Sequence, residues 1–423
     1  MRVSRCRRAN IRVIDVLAIT FVFGVLAALV LPGMQRTGGG RRSECLNNLR
    51  NIGVAMHNFE SQKGRLPPSG VWDVVDPATF AEWSNLAGIA ENPSHQATMR
   101  YSWALELMPY LDHSDIYDEW DFSADTKRRA GYGSYWQQRR EDSVKTPPGG
   151  NQQLANTNLR MLTCPADPTT IPGKGNPSYV VNGGFAYHWK LDYLSSGGDG
   201  KGVVNGQTTN VSLDRWKENV RNSGVFFLEP SKTYTEAFVP KALDGFRPTK
   251  LSDVGDGLAT TVMVSENITA GTGAVWETPT IQSSWACPHP WNTSFFVNGG
   301  VTAINMTPLN IEAGYDFSAA NNRGPRAPPV FPFGKEGGVN GDLTGANEDR
   351  FPYPNSGHPK VVNILMCDGS ARSISEDIDG AVWARLVTPN GGKFVRPSDG
   401  LLGGEVLEDR RGRGFTQRKD PIE

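Results

Sequence analysis

Apolar residues dominate Val13 to Leu31, VIDVLAITFVFGVLAALVL, nineteen positions that carry a single charge, Asp15, and end at Pro32. A helix of that length covers roughly 28 Å at about 1.5 Å per residue, close to the hydrocarbon thickness of a bilayer. Arg2, Arg5, Arg7, Arg8 and Arg12 precede it. Basic residues ahead of an apolar run hold that end in the cytoplasm. The pattern predicts a basic leader over 1–12 and a retained transmembrane helix over 13–32, with the rest of the chain extracytoplasmic. A cleaved secretory signal is the alternative, but Ala27-Ala28 lies inside the run rather than after it.

A different period follows. Leu46, Leu49, Ile52, Met56 and Phe59 recur at spacings of three and four, which predicts an amphipathic helix over 43–64 ended by Gly64 and Pro67-Pro68. Gly38-Gly39-Gly40 should stop or bend the membrane helix before it, at roughly 1 kcal/mol per glycine against alanine. The apolar face of the second helix needs a partner, which a sheet further on would supply. Trp103 to Tyr117 reads as a short helix interrupted at Pro109. Tyr179–Val181, Val225–Leu228 and Thr260–Ser265 read as short strands. Residues 126–160, 190–222 and 318–350 are polar or rich in glycine and asparagine, and read as surface excursions. In Val361 to Ser375, VVNILMCDGSARSIS, Asp368-Gly369 joins two β-rich runs and predicts a hairpin closed by a type I′ turn. The fold class is therefore α+β: an N-terminal membrane helix, then a domain over 66–404 with an antiparallel sheet and long loops. The charged, aromatic-poor segment 405–423 reads as a disordered tail.

Composition narrows the function classes. The 423 residues carry 43 basic and 44 acidic side chains, a net charge of -1, which gives no electrostatic case for a nucleic-acid partner. Cys6, Cys45, Cys164, Cys287 and Cys367 contain no Cys-x-x-Cys pair, against a zinc ribbon or a dithiol redox motif. There is no Gly-x-Ser-x-Gly, no P-loop and no His-Glu-x-x-His, so no catalytic, cofactor or metal residues are assigned. Gly197-Gly198-Asp199-Gly200 and Gly341-Asp342 offer oxygens to calcium only outside any EF-hand spacing, and polar turns are the simpler reading.

His358 is followed by nine residues and then Asp368-Gly369. Cys45-Leu-Asn-Asn-Leu-Arg-Asn-Ile-Gly with Ala55-Met56-His57-Asn58, Ser102-Trp103 to Leu111, Leu162-Thr-Cys-Pro-Ala-Asp-Pro168, and Leu251 to Asn267 come before it in order. These five blocks together resemble a bacterial prepilin-like family, abundant in Planctomycetes and catalogued as domain of unknown function 1559. The resemblance implies a pilin-like domain and a type IV pilin-like N-terminus, related to type II secretion or type IV pilus machinery. It places the processing junction between Asn10 and Ile11. Asn10 stands where a prepilin leader carries Gly, and Asp15 where the mature pilin carries Glu. Loss of the small residue before the cut implies a leader that is kept or cleaved poorly. Asp15 becomes the candidate subunit-docking charge, the alternative being an interfacial carboxylate paired with Arg12. The cysteine-bearing blocks imply a Cys45–Cys164 disulfide, with Cys287 as the competing partner. His358 and Asp368 bracket one strand of roughly 23 Å, so they read as structural marks at its two ends rather than as ligands of one site. The expected function is a single-pass inner-membrane protein, N-terminus cytoplasmic, with a structural or assembly role among pilin-like subunits and no catalysis. The alternative is a tethered surface module that binds polysaccharide or another envelope ligand.

Overall fold

In a computed structural model the described residues are 20–22, 39–74, 97–122, 150–171, 173, 175–185, 202–204, 207–209, 221–230, 249–268, 270, 284–288, 293–297, 339–340 and 353–393. Among these no helix is long and apolar enough to cross a membrane. Of the stretch 13–32, Thr20, Phe21 and Val22 are described and helical, with Phe21 and Val22 exposed. The rest of it lies outside the described residues, as do Asn10, Ile11, Asp15, the tail 405–423 and the two glycine–aspartate turns considered for calcium.

The first long element is α1, Gly39–Lys63. It begins earlier than the apolar period suggests, because Gly39 and Gly40, expected to stop or bend the membrane helix before it, form its first turn. First-turn amides have no intrahelical acceptor, so glycine there gives up less than in a helix interior. One face, Cys45, Leu49, Ile52, Ala55, Met56 and Phe59, is fully buried, and the helix ends before Gly64. A three-stranded sheet has the order β2–β1–β6, built from β1 (Gly70–Val74), β2 (Ala97–Ser102) and β6 (Leu228–Pro230). The strand expected at Val225–Leu228 is thus displaced toward its C-terminal end. The amides of Val225 and Phe226 instead donate to the Asn182 carbonyl, at 3.2 and 2.9 Å. Around Pro109 the chain forms α2 (Trp103–Leu107), a 3₁₀ turn Met108–Tyr110 and α3 (Ser114–Glu119). Ser102 Oγ caps α2 by accepting the Ala104 amide at 3.2 Å.

The end of the segment 126–160 is not a surface excursion. It forms α4, Gly150–Ala155, anchored by a reciprocal pair in which the Asn151 side chain accepts from the Asp121 amide and donates to the Asp121 carbonyl, both at 2.9 Å. Leu159 and Leu162 then enter the core. A short hairpin, β4 (Gly202–Val204) with β5 (Gln207–Thr209), stands apart from the larger sheets.

The main sheet has the order β10–β9–β7–β3–β8. Its strands are β3 (Tyr179–Phe185), β7 (Val262–Glu266), β8 (Ser294–Val297), β9 (Val361–Met366) and β10 (Ala371–Ser375). All neighbours are antiparallel except β3–β8, which is parallel. Alternate side chains point to opposite faces. Tyr179, Val181, Val264 and Leu365 join the core shared with α1, whereas Val180, Val262, Val362, Ile364 and Met366 form a second core with Trp383 and Val387 of α5, Gly380–Val387. Helices on both faces explain why β9 reads as a nearly continuous apolar run rather than an alternating one.

The hairpin has a different turn from the type I′ expected. Leu365 pairs with Ala371, the Gly369 amide donates to the Met366 carbonyl at 3.0 Å, and the Met366 amide donates to the Ser370 carbonyl at 2.8 Å. Cys367-Asp368-Gly369 is therefore a three-residue loop, a type I turn followed by a left-handed residue. Only Gly369, at φ 84°, carries the positive φ. The Asp368 carboxylate stabilises the loop by accepting from the Ser370 amide at 2.9 Å and from Ser370 Oγ at 2.6 Å.

Candidate functional site

Where α1 crosses the sheet, polar residues interrupt otherwise apolar strands. Glu266 ends β7, Asn363 lies on the adjacent β9, and both are fully buried. An unpaired carboxylate in such a place is costly to bury, so its partners define the site. The Asn363 amide donates to Glu266 Oε2 and the Asn363 Nδ2 to Glu266 Oε1, each at 2.9 Å. Asn363 Oδ1 in turn accepts from Ser373 Oγ on β10, and Ser373 Oγ accepts from Arg42 Nε on α1 at 3.0 Å. A chain of hydrogen bonds thus runs from the exposed first turns of α1, across two strands, to a carboxylate with no solvent exposure.

On its other side Glu266 faces His358, whose Nε2 is 3.5 Å from Glu266 Oε1. The same Nε2 is 3.6 Å from Cys164 Sγ. Cys164 and Cys45 are joined by a disulfide, with Cα atoms 5.0 Å apart and a sequence separation of 119. Cys287 and Cys367 are buried thiols outside the disulfide, and burial pushes the Cys367 thiol pKa up, with the neighbouring Asp368 adding to the effect. His358 is held from its own loop, where its amide donates to Ser356 Oγ at 3.1 Å. That loop lies tight on the segment after Cys164, since a Cβ on Gly357 would overlap the Ala166 carbonyl oxygen.

Two further groups border the cluster. Tyr179 Oη donates to the Cys45 carbonyl at 3.3 Å, and its pKa is raised well above 10.0 by burial and then by the Glu266 charge. The Asp167 carboxylate accepts from the Thr169 amide at 2.8 Å, Thr169 Oγ1 at 2.7 Å and Ser178 Oγ. Burial raises its pKa above the ordinary value; those hydrogen bonds oppose the rise and the Glu266 charge adds to it.

The sequence-selected residues therefore separate. His358, Cys45 and Cys164 meet in one buried cluster, while Asp368 and Gly369 form the hairpin loop at the far end of β9. Sequence reasoning gave His358 a role at the start of the strand, and its side chain goes further, reaching the disulfide and Glu266. Glu266, Asn363 and Asp167 were assigned no role. The legible signal was a polar residue inside or at the end of an apolar strand, in VMVSE and VVNILM. Cys45, Cys164, Glu266 and His358 bring four atoms of metal-ligand type within 4.8 Å of one another, two of them the sulfurs joined in the disulfide.

No curated protein and no solved structure matches this chain. One family profile does, that described as "Protein of unknown function (DUF1559)", and it matches residues 39–381, from the first residue of α1 into α5. The chain belongs to that family of proteins of unknown function.

Proposed function

We propose that this protein is a single-pass inner-membrane protein of the pilin or pseudopilin type, with a structural or assembly role in the cell envelope and no catalysis. The observation that supports the reading is the mounting of α1. The helix lies with its apolar face on the antiparallel β9–β10 pair and is tied to the core by the Cys45–Cys164 disulfide. Seven residues separate it from the apolar segment 13–31. A helix fixed to the core so soon after the apolar segment keeps the domain close to its anchor, as a subunit docking in a membrane requires. Asp15 is the docking charge in this reading, and other pilin-like subunits are the partners.

Fractionation and cross-linking in native membranes, with mass spectrometry of the N-terminus, test the reading. The expected outcome is a membrane-bound chain that retains Met1 to Asn10 and forms cross-linked complexes weakened by Asp15→Ala. Recovery in the soluble fraction, or complexes indifferent to Asp15→Ala, overturns it. A mature N-terminus at Ile11 overturns the retained leader.

A further inference from the structure

We infer that Cys45, Cys164, Glu266 and His358 form a tetrahedral zinc site whenever the Cys45–Cys164 bond is reduced. All four residues are buried, and their donor atoms already lie within 4.8 Å of one another. Zinc takes thiolate sulfur at about 2.3 Å and imidazole nitrogen or carboxylate oxygen at about 2.0–2.2 Å. Tetrahedral angles then require about 3.6 Å between a sulfur and a nitrogen ligand, and about 3.4 Å between nitrogen and oxygen. The Cys164 Sγ to His358 Nε2 distance is 3.6 Å and the His358 Nε2 to Glu266 Oε1 distance is 3.5 Å. Two edges of the tetrahedron are thus present with the disulfide intact. The large change is between the sulfurs, which must part to about 3.8 Å once their bond is broken.

The surroundings fit a metal centre. Both oxygens of Glu266 are oriented by Asn363, as outer-shell donors orient the carboxylate ligands of metals. The ligands come from α1, the segment after the 3₁₀ turn Arg160–Leu162, the end of β7 and the loop before β9, so the site would cross-link the two elements that the disulfide now joins and two more. The two states exclude each other. A dithiol reductant gives two electrons and two protons to the disulfide and becomes a disulfide itself, leaving Cys45 and Cys164 as thiols. Zinc then displaces the two thiol protons and binds both thiolates. An oxidising compartment selects the covalent staple and a reducing one the metal staple.

The test is a cobalt and zinc titration of the full-length protein in detergent, with and without a phosphine reductant. The reduced chain is expected to take up one equivalent of Co²⁺, with the charge-transfer absorption of thiolate ligands and the intense visible bands of tetrahedral cobalt. Zn²⁺ should bleach both, and the disulfide form should show neither. Glu266→Gln should keep the thiolate bands while weakening the Kd about tenfold or more. If reduction alone unfolds the chain, recovery of its circular dichroism on adding Zn²⁺ supports the site, and failure to recover overturns it. The proposal is also overturned by a folded, reduced chain without the bands, or by the same bands in the Cys45→Ser/Cys164→Ser variant.

Discussion

Gly53 of α1 sits directly on Leu365 of β9: a Cβ added to the glycine would stand 3.0 Å from Leu365 Cδ1 and 3.4 Å from the Gly369 Cα. The helix therefore meets the hairpin at a point where the helix glycine cannot add an atom freely. Gly53→Val is expected to destabilise the fold by about 1–3 kcal/mol, the usual cost of overpacking a dense contact. Chemical denaturation of the two proteins measures it. A variant as stable as the parent would mean that the helix has room to move off the sheet.

Gly369 is constrained differently. Around it a Cβ would make only ordinary contacts, the nearest at 3.5 Å to His57 Nε2, so the space tolerates a side chain. Its φ of 84° does not. Gly369→Val should lose about 1–3 kcal/mol through backbone strain, whereas Gly369→Asn, which accepts the left-handed region more readily, should lose less. Thermal unfolding of the pair separates strain from packing, because packing would penalise both.

The disulfide closes a loop with a sequence separation of 119. Chain entropy alone assigns such a link about 4–5 kcal/mol. Cys45→Ala/Cys164→Ala should lose an amount of that order in equilibrium unfolding under oxidising conditions. A loss below about 1 kcal/mol would place the main constraint on α1 in its apolar face rather than in the covalent bond.

Asp167 gives a pH dependence whose sign is fixed. Burial raises its folded pKa above the ordinary 3.8, so the folded state holds its proton more tightly than the unfolded chain does. Its contribution is greatest below the unfolded value and is lost as pH rises from about that value through the folded pKa. Asp167→Asn keeps a carbonyl oxygen for the Thr169 donors and cannot ionise. The stability of the parent relative to Asp167→Asn should therefore fall as pH is raised from the acidic side. A difference independent of pH would show that the carboxyl is ionised alike in both states.

Local pattern determined a good deal of this protein. The three-and-four spacing of Leu46, Leu49, Ile52, Met56 and Phe59 is enough to give α1 and most of its buried face, since a helix displays that period directly. Leu46 is only half-buried, however, and Cys45 lies in the core beside it. Asp-Gly between two β-rich runs is enough to place the β9–β10 hairpin. Even there, local chemistry left the turn class open: the register that pairs Leu365 with Ala371 is what makes the loop three residues long. The polar cluster was beyond the reach of pattern. Cys45, Cys164, Glu266 and His358 come from four segments spread over more than three hundred positions, and nothing along the chain states that they converge. The sequence carries a glutamate at the end of one apolar strand and an asparagine inside another, and neither was given a role. Only the order β10–β9–β7, with α1 laid across it, decided that they bond to each other, because the partner that makes a buried carboxylate tolerable is supplied through space by neighbouring strands.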